Sequence, residues 1–317
     1  MRVAAIDCGT NSIRLLIADV VELDGGGQRL TDVHREMRVV RLGQGVDVTG
    51  MLAEEALERT FAATEDYAAL IRSSSVERVR FVATSATRDA GNRDVFVAGI
   101  RDRLGIAPEV VSGAEEAGLS FAGAVSVLPV LEDHNVLVVD LGGGSTEFVM
   151  GNSVGVTGAL STDMGCVRFT ERYLQCDPPT AGEIASAEAA IEDKLADVLA
   201  VLPLGGVDSI VGVAGSITTI TAHALGLASY QSEAVHGAVV PLEKIDAAAT
   251  SLLGMTRTER AALGFMHPGR VDVIGAGALI WRTVLRRLAQ LSGGRLESAT
   301  SSEHDILDGI ALGAARS

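Results

Sequence analysis

Apolar runs and helical stripes alternate along the chain, and polar turns separate them. Residues 3–6 are an unbroken apolar run that stops at Asp7-Cys8-Gly9-Thr10-Asn11-Ser12, which predicts a buried strand and a turn. Residues 13–21 predict a second strand, Asp24-Gly25-Gly26-Gly27 a turn, and 29–42, which alternates loosely, a third strand. A helical period over 51–73, a strand at 78–84 and helices at 92–104 and 113–127 follow. The last of these opens on Ser112 and Glu115, which have capping-box spacing. Pro129 and the polar stretch Glu132-Asp133-His134-Asn135 predict a domain junction.

After that junction the opening pattern returns. The apolar run 136–139 leads into Asp140-Leu141-Gly142-Gly143-Gly144-Ser145-Thr146, and Asp140 lies 133 residues after Asp7. Two Asp-led turns rich in Gly, Ser and Thr, each between apolar strands, imply an internal duplication. A helix at 180–201 starts with a second capping box, Thr180 to Glu183. A strand at 208–213 enters Ala214-Gly215-Ser216-Ile217-Thr218-Thr219. Helices at 242–252 and 269–291, a strand near 297–300 and a helix at 302–315 complete the chain.

Composition narrows the class. The 317 residues suit two domains, and 47% hydrophobic residues with 3% aromatics imply cores of Val, Ile, Leu and Ala. A net charge of −15 excludes a general nucleic-acid or anionic-membrane binder, and it repels a polyanionic substrate at long range. Such a substrate needs a local cationic site. The cations are Arg apart from Lys194 and Lys244, which reflects either base composition or bidentate phosphate binding. Cys8, Cys166 and Cys176 are odd in number and form no Cys-x-x-Cys pair, which points to a reducing, cytoplasmic setting. Asp7 breaks the N-terminal apolar run too early for a signal peptide, and no run of 18 apolar residues predicts a membrane span.

The turns are the first candidates for chemistry. Their backbone N–H groups and hydroxyls suit an anion, and a leading Asp suits a cation or its water. One such turn reads equally well as a plain hairpin; two matched turns, with Gly215-Ser216 as a third, favour phosphate. Glu115 belongs to the capping box. Glu116, about 100° further round the helix, is either a solvated carboxylate or a general base. Arg88 and Arg93, after Thr84-Ser85-Ala86-Thr87, are either phosphate clamps or surface charges. Arg14 reads as a site residue or a cross-sheet ion pair, and Glu147 as a site residue or an edge carboxylate. The histidines (His34, His134, His223, His236, His267 and His304) have no metal-ligand spacing. Neither a Gly-x-Ser-x-Gly elbow nor a Walker loop occurs.

Six segments in order resemble the exopolyphosphatase / guanosine pentaphosphate phosphohydrolase (Ppx/GppA) family. They begin at Ile6, Ala83, Ser112, Asp140, Met164 and Val213, and the resemblance covers nearly the whole chain. It implies an α/β fold of duplicated actin-like, ribonuclease H-like domains with a cleft between them. The N-terminal domain would span 1–128, completed by the C-terminal helix at about 302–317, and the second 129–301. The implied activity is hydrolysis of the terminal phosphoanhydride of inorganic polyphosphate or of guanosine pentaphosphate (pppGpp). By position, Glu116 is implied as the base, and Asp7, Asp140 and Glu147 as surrounding Mg²⁺ or Mn²⁺ and the attacking water. Gly9, Thr10, Asn11 and Ser12, with Gly142, Gly143, Gly144 and Ser145, would cradle phosphates. Arg14, Arg88 and Arg93 would clamp them, and Gly215 and Ser216 would line the second domain's side. A homodimer is also implied.

Two departures stand out. Leu307 replaces an Arg usual in the family, and the chain ends at 317 without further helical domains, which predicts a preference for shorter polyphosphate. Rival readings are an actin-like ATP-dependent kinase and a non-enzymatic sensor of polyphosphate or of a guanosine alarmone.

Overall fold

A computed structural model describes residues 1–23, 28–125, 134–152 and 155–316. The expected turn at Asp24-Gly25-Gly26-Gly27, the end of the helix expected to reach 127, and Pro129, Glu132 and Asp133 of the expected junction lie outside the described residues. The chain forms two compact units, one of Met1–Ser126 with Asp305–Ser317 and the other of Val127–His304.

In the first unit, β1 (Arg2–Cys8), β2 (Ser12–Glu22), β3 (Gln28–Val39), β4 (Arg78–Ala83) and β5 (Glu109–Val110) form a sheet in the order β3-β2-β1-β4-β5. The first three strands are antiparallel neighbours, whereas β4 runs parallel to β1, and β5 to β4. The central strand is apolar on both faces because both are covered. Ala4 and Ile6 pack with Tyr67, Phe81 and Phe96. Val3 and Ala5 pack on the other face with Leu307, Ile310 and Ala311 of the C-terminal helix Ile306–Arg316. Leu307, the departure noted above, is thus a core residue with 1% of its surface exposed.

The second unit repeats this arrangement. Its strands are β6 (Val136–Leu141), β7 (Thr146–Asn152), β8 (Gly155–Thr162), β9 (Ser209–Val213), β10 (Val239–Pro241) and β11 (Ser298–Ser301). They lie in the order β8-β7-β6-β9-β11-β10, with the same sense as the first sheet through β11 and β10 added antiparallel at the edge. Two copies of a 3-2-1-4-5 mixed sheet with flanking helices are the duplicated, actin-like α/β architecture. The second core gathers Leu137, Val139 and Phe148 with Trp281 and Ile217.

Several expected elements shift. The third strand stops at Val39, not 42, because the Val40 and Arg41 N–H groups turn to the Asn11 carbonyl and Arg41 is left-handed at φ 51°. The last helix starts at Ile306, not 302. The Ser302 N–H is taken by Gly212, and Asp305 accepts the Leu307 N–H as an end cap. Two helices, Cys166–Tyr173 and Gly215–Ala224, were not legible as helices. The first opens on Gly165 without a side-chain cap, and the second is a run of Ile and Thr whose local preference is for strand. No helix among the described residues is long and apolar enough to cross a membrane.

Candidate active site

The two Asp-led turns close identically. The Gly9 N–H donates to the Ser12 carbonyl at 3.0 Å, and the Gly142 N–H to the Ser145 carbonyl at 3.0 Å. In each, the following chain takes up the loop's carbonyls. Gly43 donates to the Thr10 carbonyl at 2.9 Å, and Val40 and Arg41 to that of Asn11 at 3.1 and 2.8 Å. In the second turn Cys166 donates to the Gly142 carbonyl at 3.0 Å, and Val167 and Arg168 to that of Gly143 at 2.8 and 3.2 Å. A trans peptide directs its N–H opposite its C=O. Binding the carbonyls from behind therefore turns the amides of Asn11 and Ser12, and of Gly143 and Gly144, outward, as an anion-binding nest requires. The approach depends on glycine. A Cβ on Gly43 would lie 2.4 Å from the Thr10 methyl, and one on Gly165 would lie 2.3 Å from the Gly143 carbonyl. The buried hydroxyls of Thr10 and Ser85 meet at 3.0 Å beside the first turn.

Gly215 and Ser216 open the helix Gly215–Ala224 after Ala214, whose φ of 71° is a strained backbone for a residue with a side chain. Arg270 lies flat on Gly215, where a Cβ would come within 2.2 Å of its guanidinium, and donates to the Thr219 hydroxyl at 3.1 Å. A cation at a helix N-terminus, where the dipole already favours anions, deepens an anion site. Sequence reasoning missed Arg270, because Pro268-Gly269-Arg270 has no spacing that links it to a turn some fifty positions earlier.

The adjacent glutamates separate. Glu115 completes the capping box with Ser112, accepting its N–H at 2.9 Å and donating its own N–H to the hydroxyl at 3.2 Å. The backbone N–H of Ser112 holds the Glu115 carboxyl below its usual range. Glu116 is buried, and Arg88 donates to its Oε2 at 2.9 Å and to the Val111 carbonyl at 3.0 Å. Arg93 is exposed at the start of the helix Arg93–Leu104, and no hydrogen bond joins it to this pair among the described residues. The helix bearing Glu116, Gly113–Val125, lies against Ile306–Arg316 at glycine distance: a Cβ on Gly123 would fall 1.7 Å from the Asp305 carbonyl, and one on Gly309 1.9 Å from that of Leu119.

The duplicated strands carry two different pairs at one register. Asp7 of β1 is opposite Arg14 of β2, and Asp140 of β6 is opposite Glu147 of β7. Arg14 donates to Asp7 at 2.9 and 2.7 Å and also to Asp305. Burial pushes the Asp7 carboxyl up against the pull of Arg14, and it opposes the lowering of Asp305, where Arg14, the Leu307 N–H and Arg35 prevail. Arg14 is therefore committed to two carboxylates of its own unit. In the second unit two carboxylates face each other, Asp140 7% and Glu147 1% exposed, with the Ser161 hydroxyl donating to Glu147 at 2.7 Å.

Among the described residues no three His, Cys, Asp or Glu side chains gather into a metal cage. The Asp140–Glu147 pair nevertheless fits Mg²⁺ or Mn²⁺. Like charges directly opposite repel, and Mg²⁺ is commonly held by one or two carboxylates with water and substrate phosphates completing its shell.

Outward amides, half-buried arginines and a facing carboxylate pair all favour a phosphate-rich anion over a neutral ligand, which makes this a phosphate-handling protein of the actin-like class. The chain belongs to the Ppx/GppA phosphatase family, whose pattern it matches over residues 16–312. It is 52% identical over 316 residues to "Exopolyphosphatase 2" of Mycobacterium tuberculosis, covering 98% of each chain. Among solved structures, an exopolyphosphatase-like protein superposes with TM-score 0.93 at 44% identity, over 100% of this chain and 99% of the other. The Aquifex aeolicus family member superposes with TM-score 0.80 at 31% identity, over 100% and 98%.

Proposed function

We propose that the chain is an exopolyphosphatase that hydrolyses the terminal phosphoanhydride of inorganic polyphosphate. The observation that carries this reading is the pair of matched turns with carbonyls bound from behind and amides directed outward. Such turns suit repeated phosphate groups, and full-length similarity to a protein named exopolyphosphatase supports the substrate. In the first unit the groups offered to an anion are the amides of Gly9 to Ser12 with Arg88 and Arg93; in the second they are the amides of Gly142 to Ser145, Gly215 and Ser216, with Arg270. These local donors answer the repulsion expected from a net charge of −15.

In the proposed reaction Glu116 accepts a proton from water while the water oxygen bonds to the terminal phosphorus. The bridging P–O bond breaks, releasing orthophosphate and a chain one unit shorter. Arg88 sets the direction of the Glu116 carboxylate through Oε2. Asp140 and Glu147 would hold a divalent cation, which when bound supplies charge neutralisation at the phosphate oxygens. Asp7 is left out of that set because Arg14 already meets its charge. Free thiols at Cys8, Cys166 and Cys176 agree with a reducing, cytoplasmic setting, and a homodimer is carried by the family resemblance alone.

The test is phosphate release from tripolyphosphate, long-chain polyphosphate and pppGpp, with and without Mg²⁺. Metal-dependent release from polyphosphate is expected. Release from pppGpp alone would move the substrate to the guanosine nucleotide, ATP-dependent transfer to a metabolite would make it a kinase, and binding without turnover a sensor.

A further inference from the structure

Three successive carbonyls of the second turn are bound from behind, and the third is bound by a side chain. Gly142 and Gly143 are held by the first backbone amides of the helix Cys166–Tyr173. The Gly144 carbonyl accepts from Nε of Arg168, from the same helix, at 2.8 Å. Opposite the Gly144 carbonyl, across a trans peptide, is the N–H of Ser145. Arg168 therefore does for the Ser145 amide what backbone does for those of Gly143 and Gly144. The side chain is 12% exposed, and Asp163 stands 3.9 Å from its Nη2, too far for a hydrogen bond. In the first turn the Thr10 carbonyl accepts from the backbone amide of Gly43, and the Asn11 carbonyl from those of Val40 and Arg41.

We infer that Arg168 is a positioning residue for the phosphate subsite of the second turn: it locks the Gly144–Ser145 peptide so that the Ser145 N–H is the third donor to a bound phosphate. Arg168 acts through the turn and need not touch the anion. Its charge, one peptide behind the nest, also adds to the local attraction that offsets a net charge of −15. This inference rests on the proposed polyphosphate reading.

Arg168→Met and Arg168→Lys separate it from a merely structural role. For Mg²⁺-dependent phosphate release from tripolyphosphate, Arg168→Met should raise KM about 10- to 100-fold, the range for losing one charge-assisted hydrogen bond, with kcat changed less. Arg168→Lys, which keeps a cationic donor, should recover most of that loss, and thermal midpoints should stay close to wild type. Calorimetric titration with tripolyphosphate should show the same loss of affinity. Unchanged KM and affinity in Arg168→Met would overturn the inference, and so would equal damage in both variants with lowered midpoints. Should the wild type bind tripolyphosphate without cleaving it, the hydrolase reading fails while the affinity comparison still decides the role of Arg168. A wild type that neither binds nor cleaves overturns both.

Discussion

Asp140 and Glu147 lie directly opposite one another across β6 and β7, at the register that Asp7 and Arg14 occupy across β1 and β2. Duplication supplied the same two places twice, and the chain filled them with opposite electrostatics. In the first unit the pair is internally neutral and extended by Asp305. In the second it is two facing acids, an arrangement that a divalent cation stabilises.

Glu147→Gln tests that arrangement while keeping an oxygen to accept the Ser161 hydroxyl. With divalent cations chelated, the variant should match or exceed the wild type by about 1–3 °C in melting temperature, since removing a facing like charge is worth about 0.2–1 kcal/mol. With millimolar Mg²⁺ the wild type should gain stability and the variant should not. A full Mg²⁺ response in Glu147→Gln would take the ion away from this pair.

Glu116→Gln should retain polyphosphate binding and lose turnover by about 10²- to 10⁴-fold, the usual contribution of a positioned base. The amide oxygen can still accept from Arg88, so the local geometry survives. Binding by calorimetry and single-turnover phosphate release distinguish the outcomes, and near-normal release would remove Glu116 from the reaction.

The architecture was legible because each half announces itself in the same way: an apolar run, an Asp, a glycine-rich turn and another strand. The Thr180–Glu183 box was legible for an equally local reason and is present with both of its hydrogen bonds. What was not legible is long-range. Arg270 reaches Gly215 only because the Gly215–Ala224 helix and the segment after His267 are folded together. Asp305 meets Arg14 across 291 positions. Arg14 and Glu147 looked alike as charges in strands after a turn, and only the cross-strand partner assigns one to a neutral network and the other to a facing acid pair.

Gly309→Ala should destabilise the first unit and depress activity together. An added Cβ would fall 1.9 Å from the backbone of Leu119, three positions beyond Glu116, so backbone rather than a side-chain tip must shift. Overpacking of this kind costs about 1–3 kcal/mol. Urea unfolding should show the loss, and a variant of wild-type stability and activity would mean that the helices Gly113–Val125 and Ile306–Arg316 leave room for the added methyl group.

Glu183 provides a pH-dependent contribution away from the site. The N–H of Thr180 is the strongest influence on it, followed by that of Cys176, the Thr180 hydroxyl and the N–H of Gln175. Together they hold the carboxyl at about 2, against an ordinary 4.5. A carboxyl lowered in the folded state binds fewer protons there than in the unfolded chain. Its stabilisation is thus fully present above pH 4.5 and is lost as the pH falls toward 2. Glu183→Gln removes the titration but keeps a weaker, neutral cap. The variant should be less stable than wild type at pH 7, and the gap in melting temperature should narrow steadily as the pH is lowered from 4.5 toward 2. Other carboxylates titrate in the same window, but they do so in both proteins, so the difference isolates Glu183. A gap that stays constant from pH 7 to 2.5 would show that the carboxylate is not held by these four donors in solution.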